Sequence, residues 1–86
     1  MDSYSVIVRP HVSEKTTNQV DQNNEISFVV LRESNKSEIK KAFEHLFEED
    51  VERVNTHINH KGLKIASIKL SQAGKADDIA IRIGIF

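Results

Sequence analysis

Residues 26–31 read Ile26-Ser27-Phe28-Val29-Val30-Leu31, an apolar run broken only by Ser27. A strand with one wet face would alternate, so this run predicts a strand covered on both faces and central to its sheet. Just downstream, Asn35-Lys36-Ser37-Glu38 fits a capping box, in which the residue before a helix and the third residue inside it satisfy each other's backbone N–H groups. Ile39, Ala42, Phe43, Leu46 and Phe47 then fall on one stripe at helical spacing, which predicts a helix laid on the sheet. Its outer face carries Lys36, Lys40, Lys41 and Glu44. Lys40 and Glu44 can pair at four residues, whereas Lys36 and Lys40 repel by a few tenths of a kcal/mol.

Upstream of the central run, Tyr4, Val6 and Val8 alternate with Ser5, Ile7 and Arg9, which is strand periodicity. Pro10 removes a ladder donor and pins its own φ, so the first strand is expected to end at Arg9. Ser13 reads as the N-cap of a short polar helix from 14 to about 22. Only Val12, Thr16 and Val20 recur along it, so it covers little core, and residues 21–24 (DQNN) read as a turn. Downstream, Val54, Thr56 and Ile58 alternate, Lys61-Gly62 supplies a hairpin turn, and residues 63–70 return as the partner strand. The apolar parity changes along 63–70, which calls for a bulge or two-sided burial near Ile65. Asp77 and Asp78 suit a helix N-terminus and Gly84 its C-cap, with Ile79, Ala80 and Ile83 turned inward. Ile79, Ile81, Ile83 and Ile85 would also fit a strand; the helix is preferred. The expected fold is α+β: one domain over residues 1–86, an α/β sandwich with a four-stranded, mostly antiparallel sheet and the order β-α-β-α-β-β-α.

A chain of 86 residues buries only about 60–65 % of the surface its unfolded form exposes, so stability is modest or shared with a partner. Large substrate pockets are not expected. The absence of cysteine removes disulfides, thiolate metal sites and thiol nucleophiles, and no leader is apparent, so a cytoplasmic protein without membrane insertion is the expectation. The net charge is −1, but residues 1–50 hold six Lys/Arg against ten Asp/Glu while residues 51–86 hold six against three. Acid gathers in Glu44, Glu48, Glu49, Asp50 and Glu52, and the stretch 57–69 has none. An acidic side and a basic side are therefore possible in a molecule whose total charge argues against a polyanion partner.

Catalytic groups are sparse. His57 and His60 stand three apart with no third ligand evident, His45 falls on the polar side of its helix, and the three glycines are isolated. Neither an enzyme nor a cofactor is expected. Lys61, Lys64 and Lys69, together with Asn55, His57, Asn59 and His60, instead give a hairpin with an acid-free flank that can meet phosphates and sugar hydroxyls. A solvated hairpin tip would have the same composition. Apart from Tyr4 and Phe86, exposed aromatics for base stacking are lacking, so RNA recognition would go by backbone and shape.

The stretch Arg9-Pro10-His11-Val12-Ser13-Glu14-Lys15, followed in order by residues 36–42 (KSEIKKA), Phe47, residues 51–56 (VERVNT), Lys61-Gly62 and the terminus 82–86 (RIGIF), resembles the L-twenty-three family of large-subunit ribosomal proteins, the terminus resembling its archaeal branch. The resemblance implies an α/β sandwich bound to the third domain of large-subunit ribosomal RNA at the mouth of the nascent-peptide tunnel, beside other ribosomal proteins. It implies RNA contacts at or beside Arg9, His11, Ser13 and Lys15, and a docking side near Glu14 for signal recognition particle or other nascent-chain factors. Lys36 and Lys40 match lysines at the start of the second helix, Asn55 and Thr56 match the VNT motif, and Lys61, Gly62 and Lys64 match the hairpin turn, which is short here. Ser13 remains as good a helix cap as an RNA contact, and Asn55 as good a hairpin tie as a nucleotide ligand. Two departures stand out: the slight net acidity, and Asn35-Ser37 where threonine and proline are common. The acid run 44–52 is expected on the side turned away from RNA. The alternative is a small regulatory interaction module of the same fold with no RNA partner.

Overall fold

The computed structural model describes residues 3–86. A single helical turn, α1 (Ser3–Val6), precedes β1 (Ile7–Pro10), α2 (Glu14–Asn23), β2 (Glu25–Val30), α3 (Lys36–Phe47), β3 (Val51–Ile58), β4 (Lys64–Leu70) and α4 (Lys75–Arg82). Apart from that turn, this is the expected order. The sheet is ordered β1-β2-β4-β3 and every pairing in it is antiparallel.

β2 is buried at all six positions, as its composition requires, but its two faces are covered differently. Ile26, Phe28 and Val30 join Ala66, Ile68 and Leu70 of β4 in the main core, under Ile39, Ala42 and Phe43 of α3 and Ala76, Ile79 and Ala80 of α4. Phe28, Phe43 and Phe47 form an aromatic trio at its centre, with ring centroids 4.6–5.8 Å apart. On the opposite face, register places Val29 between Arg9 and Ile65, and Ser27 beside Ser67. Ile65 is therefore buried on the face opposite the main core, which explains the change of parity without a bulge in β4. The irregularities fall instead between Ile7 and Arg9 in β1 and between Val51 and Arg53 in β3.

Capping chemistry fixes the helix ends. Both predicted caps form complete boxes: Ser13 with Thr16 on α2, and Asn35 with Glu38 on α3. α4 ends in a Schellman motif, with Ile85 N donating to Ala80 O at 3.0 Å and Gly84 N to Ile81 O at 3.2 Å, and Gly84 at φ 84° supplies the left-handed residue. This settles the C-terminal ambiguity in favour of the helix.

Four local expectations are corrected. The first strand begins at Ile7 rather than Tyr4, because residues 3–6 coil to bring Val6 into the core against α3, and the bulge then turns Val8 out to 54 % exposure. Pro10 is still in register, opposite Phe28, where an edge strand tolerates the missing donor. Residues 21–23 continue α2, and Asn24 alone makes the turn, at φ 55°. Finally, Glu44 caps the next strand instead of pairing with Lys40: its Oε2 accepts from Val51 N at 3.1 Å.

Candidate nucleic-acid interface

The sheet face away from the main core carries the side chains of alternate strand residues. Register gives three rows across it: Arg9, Val29, Ile65 and His57; then Ser27, Ser67 and Asn55; then Glu25, Lys69 and Arg53. His11 adjoins the second row, its N–H donating to Ser27 O at 3.0 Å. The third row is neutralised internally, since Arg53 meets Glu25 at 3.4 Å and Lys69 meets Glu52 at 3.7 Å. The first two rows contain no acid. α2 borders this face, and together they form a cleft of about 180 Å³ that includes Ser13, Lys15, Thr16 and Gln19 on the helix side and no carboxylate.

The chain's reversals sort charge toward the two ends of the sheet. Val30 pairs with Lys64, so the loop after β2 and the β3–β4 hairpin lie at one end, where Arg32 Nη1 donates to Gly62 O at 3.1 Å. α3 starts there, bringing Lys36, and Lys61 is exposed at the hairpin tip. Glu33 is also at this end, and Glu38 is occupied in the cap of α3, accepting from Asn35 N at 3.0 Å. At the far end, where α3 finishes and β3 begins, stand Glu48, Glu49, Asp50 and Glu52, with Asp77 and Asp78 in the first turn of α4. Lys75 meets Glu49 there at 3.6 Å.

Of the predicted contacts, Arg9, His11, Ser13, Lys15 and Asn55 are brought to the open face or its rim, and Lys36, Lys61 and Gly62 to the hairpin end. Thr56 has the opposite parity from Asn55, points with Ala66 and Phe28 toward the helices, and does not join the group. Lys40 is exposed one turn further along α3, on the helix side of the sheet. Lys64 spends its ammonium internally, donating to the carbonyls of Ser34 and Arg32. Glu14 is exposed on α2 and lines an adjoining groove with Asn18 and Gln22, which shares Lys15 and Gln19 with the cleft.

Ser13 caps α2, accepting from Thr16 N at 3.2 Å, and among the described residues the hairpin is tied by Asn59 rather than Asn55: the Asn59 Oδ1 accepts from Lys61 N and Leu63 N, each at 3.0 Å. Arg32 was missing from the predicted contacts, because it lies just past the end of β2, where no periodicity signals its partner; His57, expected on the polar flank of the hairpin, shares strand parity with Asn55 and joins it on the open face. Phe86 is exposed at the C-terminus, and the Tyr4 side chain lies outside what is described.

The family described as Ribosomal protein L23 matches residues 5–79, most of the chain. The chain belongs to the ribosomal protein L23 family. Among curated relatives, the large ribosomal subunit proteins uL23 of Methanobrevibacter smithii, Methanothermobacter thermautotrophicus and Methanosphaera stadtmanae are 57 %, 54 % and 52 % identical to it. Each alignment covers 86 residues and the whole of both chains, and all three organisms are methanogenic archaea. The L23 resemblance, its archaeal branch and its α+β fold therefore stand, and the relatives are ribosomal proteins rather than enzymes. Among the described residues no helix is long and apolar enough to cross a membrane.

Proposed function

We propose that this L23-family protein is a structural constituent of the large ribosomal subunit in the cytoplasm, binding large-subunit ribosomal RNA, in its third domain near the peptide exit tunnel, through the open sheet face and the hairpin end. The carrying observation is the segregation of charge: Arg9 and Lys15 border the two acid-free rows of the open face, with Arg32, Lys36 and Lys61 at the hairpin end, while the densest acid sits at the other end. Cations held by strands and capped helices lose less entropy on meeting a phosphate than cations on mobile loops. Lys36 also lies in the first turn of α3, where the helix dipole favours an anion. Of the remaining motif residues, His11, Asn55 and Gly62 adjoin this surface, Lys40 extends it along α3, and Ser13 and Lys64 support it structurally. Thr56 is assigned a packing role.

The exposed flank of α2 around Glu14 is the proposed docking side for signal recognition particle or other nascent-chain factors, since Glu14 is exposed and lines a neighbouring groove but not the RNA cleft. Neighbouring ribosomal proteins and the acidic end are left free to meet each other. Co-sedimentation with large subunits tests the reading: the protein should pellet with them at low salt and leave at high salt, as counterion release requires. Failure to associate at low salt would leave the family membership standing but remove this interface.

A further inference from the structure

The one polar break in the apolar run of β2, Ser27, lies at the base of the cleft between α2 and the open sheet face. We propose that this cleft takes a single unpaired nucleobase of the bound RNA, a subsite that rests on the RNA-binding reading above and deepens it. Its volume is about 180 Å³, and a cavity of about 150 Å³ already accepts a benzene ring. It suits one flat ring system rather than a helix.

The lining has the chemistry a base needs. Ile65 gives an apolar floor beside Ser27 and Ser67, whose hydroxyls are 3.4 Å apart. One of them donates to the other over this long contact, which leaves the half-buried Ser67 with hydrogen-bonding capacity for a base edge. Gln19 brings an amide from the helix side, able to donate and accept. His11 and His57 stand on the two sides, from the β1–α2 junction and from β3, and imidazole planes can stack on an unpaired base. Lys15 completes the lining as a cation for the adjoining phosphate. No carboxylate is present, in contrast to the cleft at the far end, lined by Glu48, Glu49 and Asp50. Base recognition thus proceeds without the Phe, Tyr or Trp platform that the composition lacks.

Binding of the full chain to a large-subunit ribosomal RNA transcript tests this with Ser67→Leu, which fills the floor, and Gln19→Leu, which alters the helix side and keeps the fold accessible if the first variant misfolds. Each should weaken binding about tenfold or more, the range expected for loss of one base contact, with the salt slope unchanged. A base-edge reagent such as dimethyl sulfate or a carbodiimide should show a base protected by the wild-type protein and re-exposed with either variant. Wild-type affinity in both variants, or no base edge that responds to them, overturns the subsite; if Arg9→Ala still flattens the salt slope, the RNA reading survives. A wild-type protein that does not bind the transcript overturns both.

Discussion

Asn24 does at one position what usually takes several. Its backbone closes α2 in the left-handed region, its Nδ2 donates to Leu70 O at 3.1 Å and to Gln72 O at 2.7 Å, and its Oδ1 accepts from Ala76 N at 3.0 Å. The side chain thus clamps the end of β4 and the first turn of α4 to the end of α2. Asn24→Gly keeps the backbone and loses the clamp; at about 0.5–1.5 kcal/mol per bond it should cost about 2–4 kcal/mol in denaturant unfolding. Asn24→Ala adds left-handed strain and should cost more; equal stability of both variants with wild type would remove the clamp from this account. Glu48 is the converse case, a charged residue at φ 56° ending α3. Glu48→Gly should stabilise by roughly 1 kcal/mol, a rise in melting temperature of about 4–8 °C for a domain of this size. An unchanged melting temperature would mean that Glu48 contributes as much as it costs. The sequence disclosed Ser13, Asn35 and Gly84 as caps because cap chemistry is local. It did not disclose Asn24 or Asn59, whose partners become apparent only when the chain folds back.

At the level of elements, legibility followed periodicity. β2 and α3 were plain because one is apolar throughout and the other repeats at helical spacing, and their packing around Phe43 is the centre of the molecule. Phe43→Ala should cost about 3–5 kcal/mol by calorimetry or urea unfolding, whereas Asn35→Ala, which removes one cap, should cost about 1 kcal/mol. The start of β1 was misread because a helical turn and a bulge both break the alternation the sequence displays. Likewise the pair Asn55-Thr56 reads as one motif in sequence, yet strand geometry sends the two side chains to opposite faces. Thr56→Val should therefore leave RNA affinity unchanged within twofold, while Asn55→Ala should reduce it; the reverse ranking would place the interface on the other face of the sheet.

For the whole molecule, the net charge of −1 conceals a polarity. Acids that the sequence could only count are engaged locally: Glu44 with Val51 N, Glu49 with Lys75 and Glu52 with Lys69. The two ion pairs are partly buried, and together with the Glu44 cap they decide where the field points. Which acids face which cations depends on strand register and helix direction, and this is why a basic side was anticipated from composition but its member Arg32 was not.

The most direct test of that polarity is the salt dependence of binding to large-subunit ribosomal RNA. The five cations Arg9, Lys15, Arg32, Lys36 and Lys61, each meeting one phosphate, predict a slope of log K against log salt of about −3.5 to −4.5. Replacing Arg9 and Lys15 together by Ala should flatten it by about one to two units, while Glu48→Gln with Glu49→Gln should leave affinity and slope as they were. A slope that stays constant in the first pair and shifts in the second would put the RNA at the opposite end of the molecule and contradict the account.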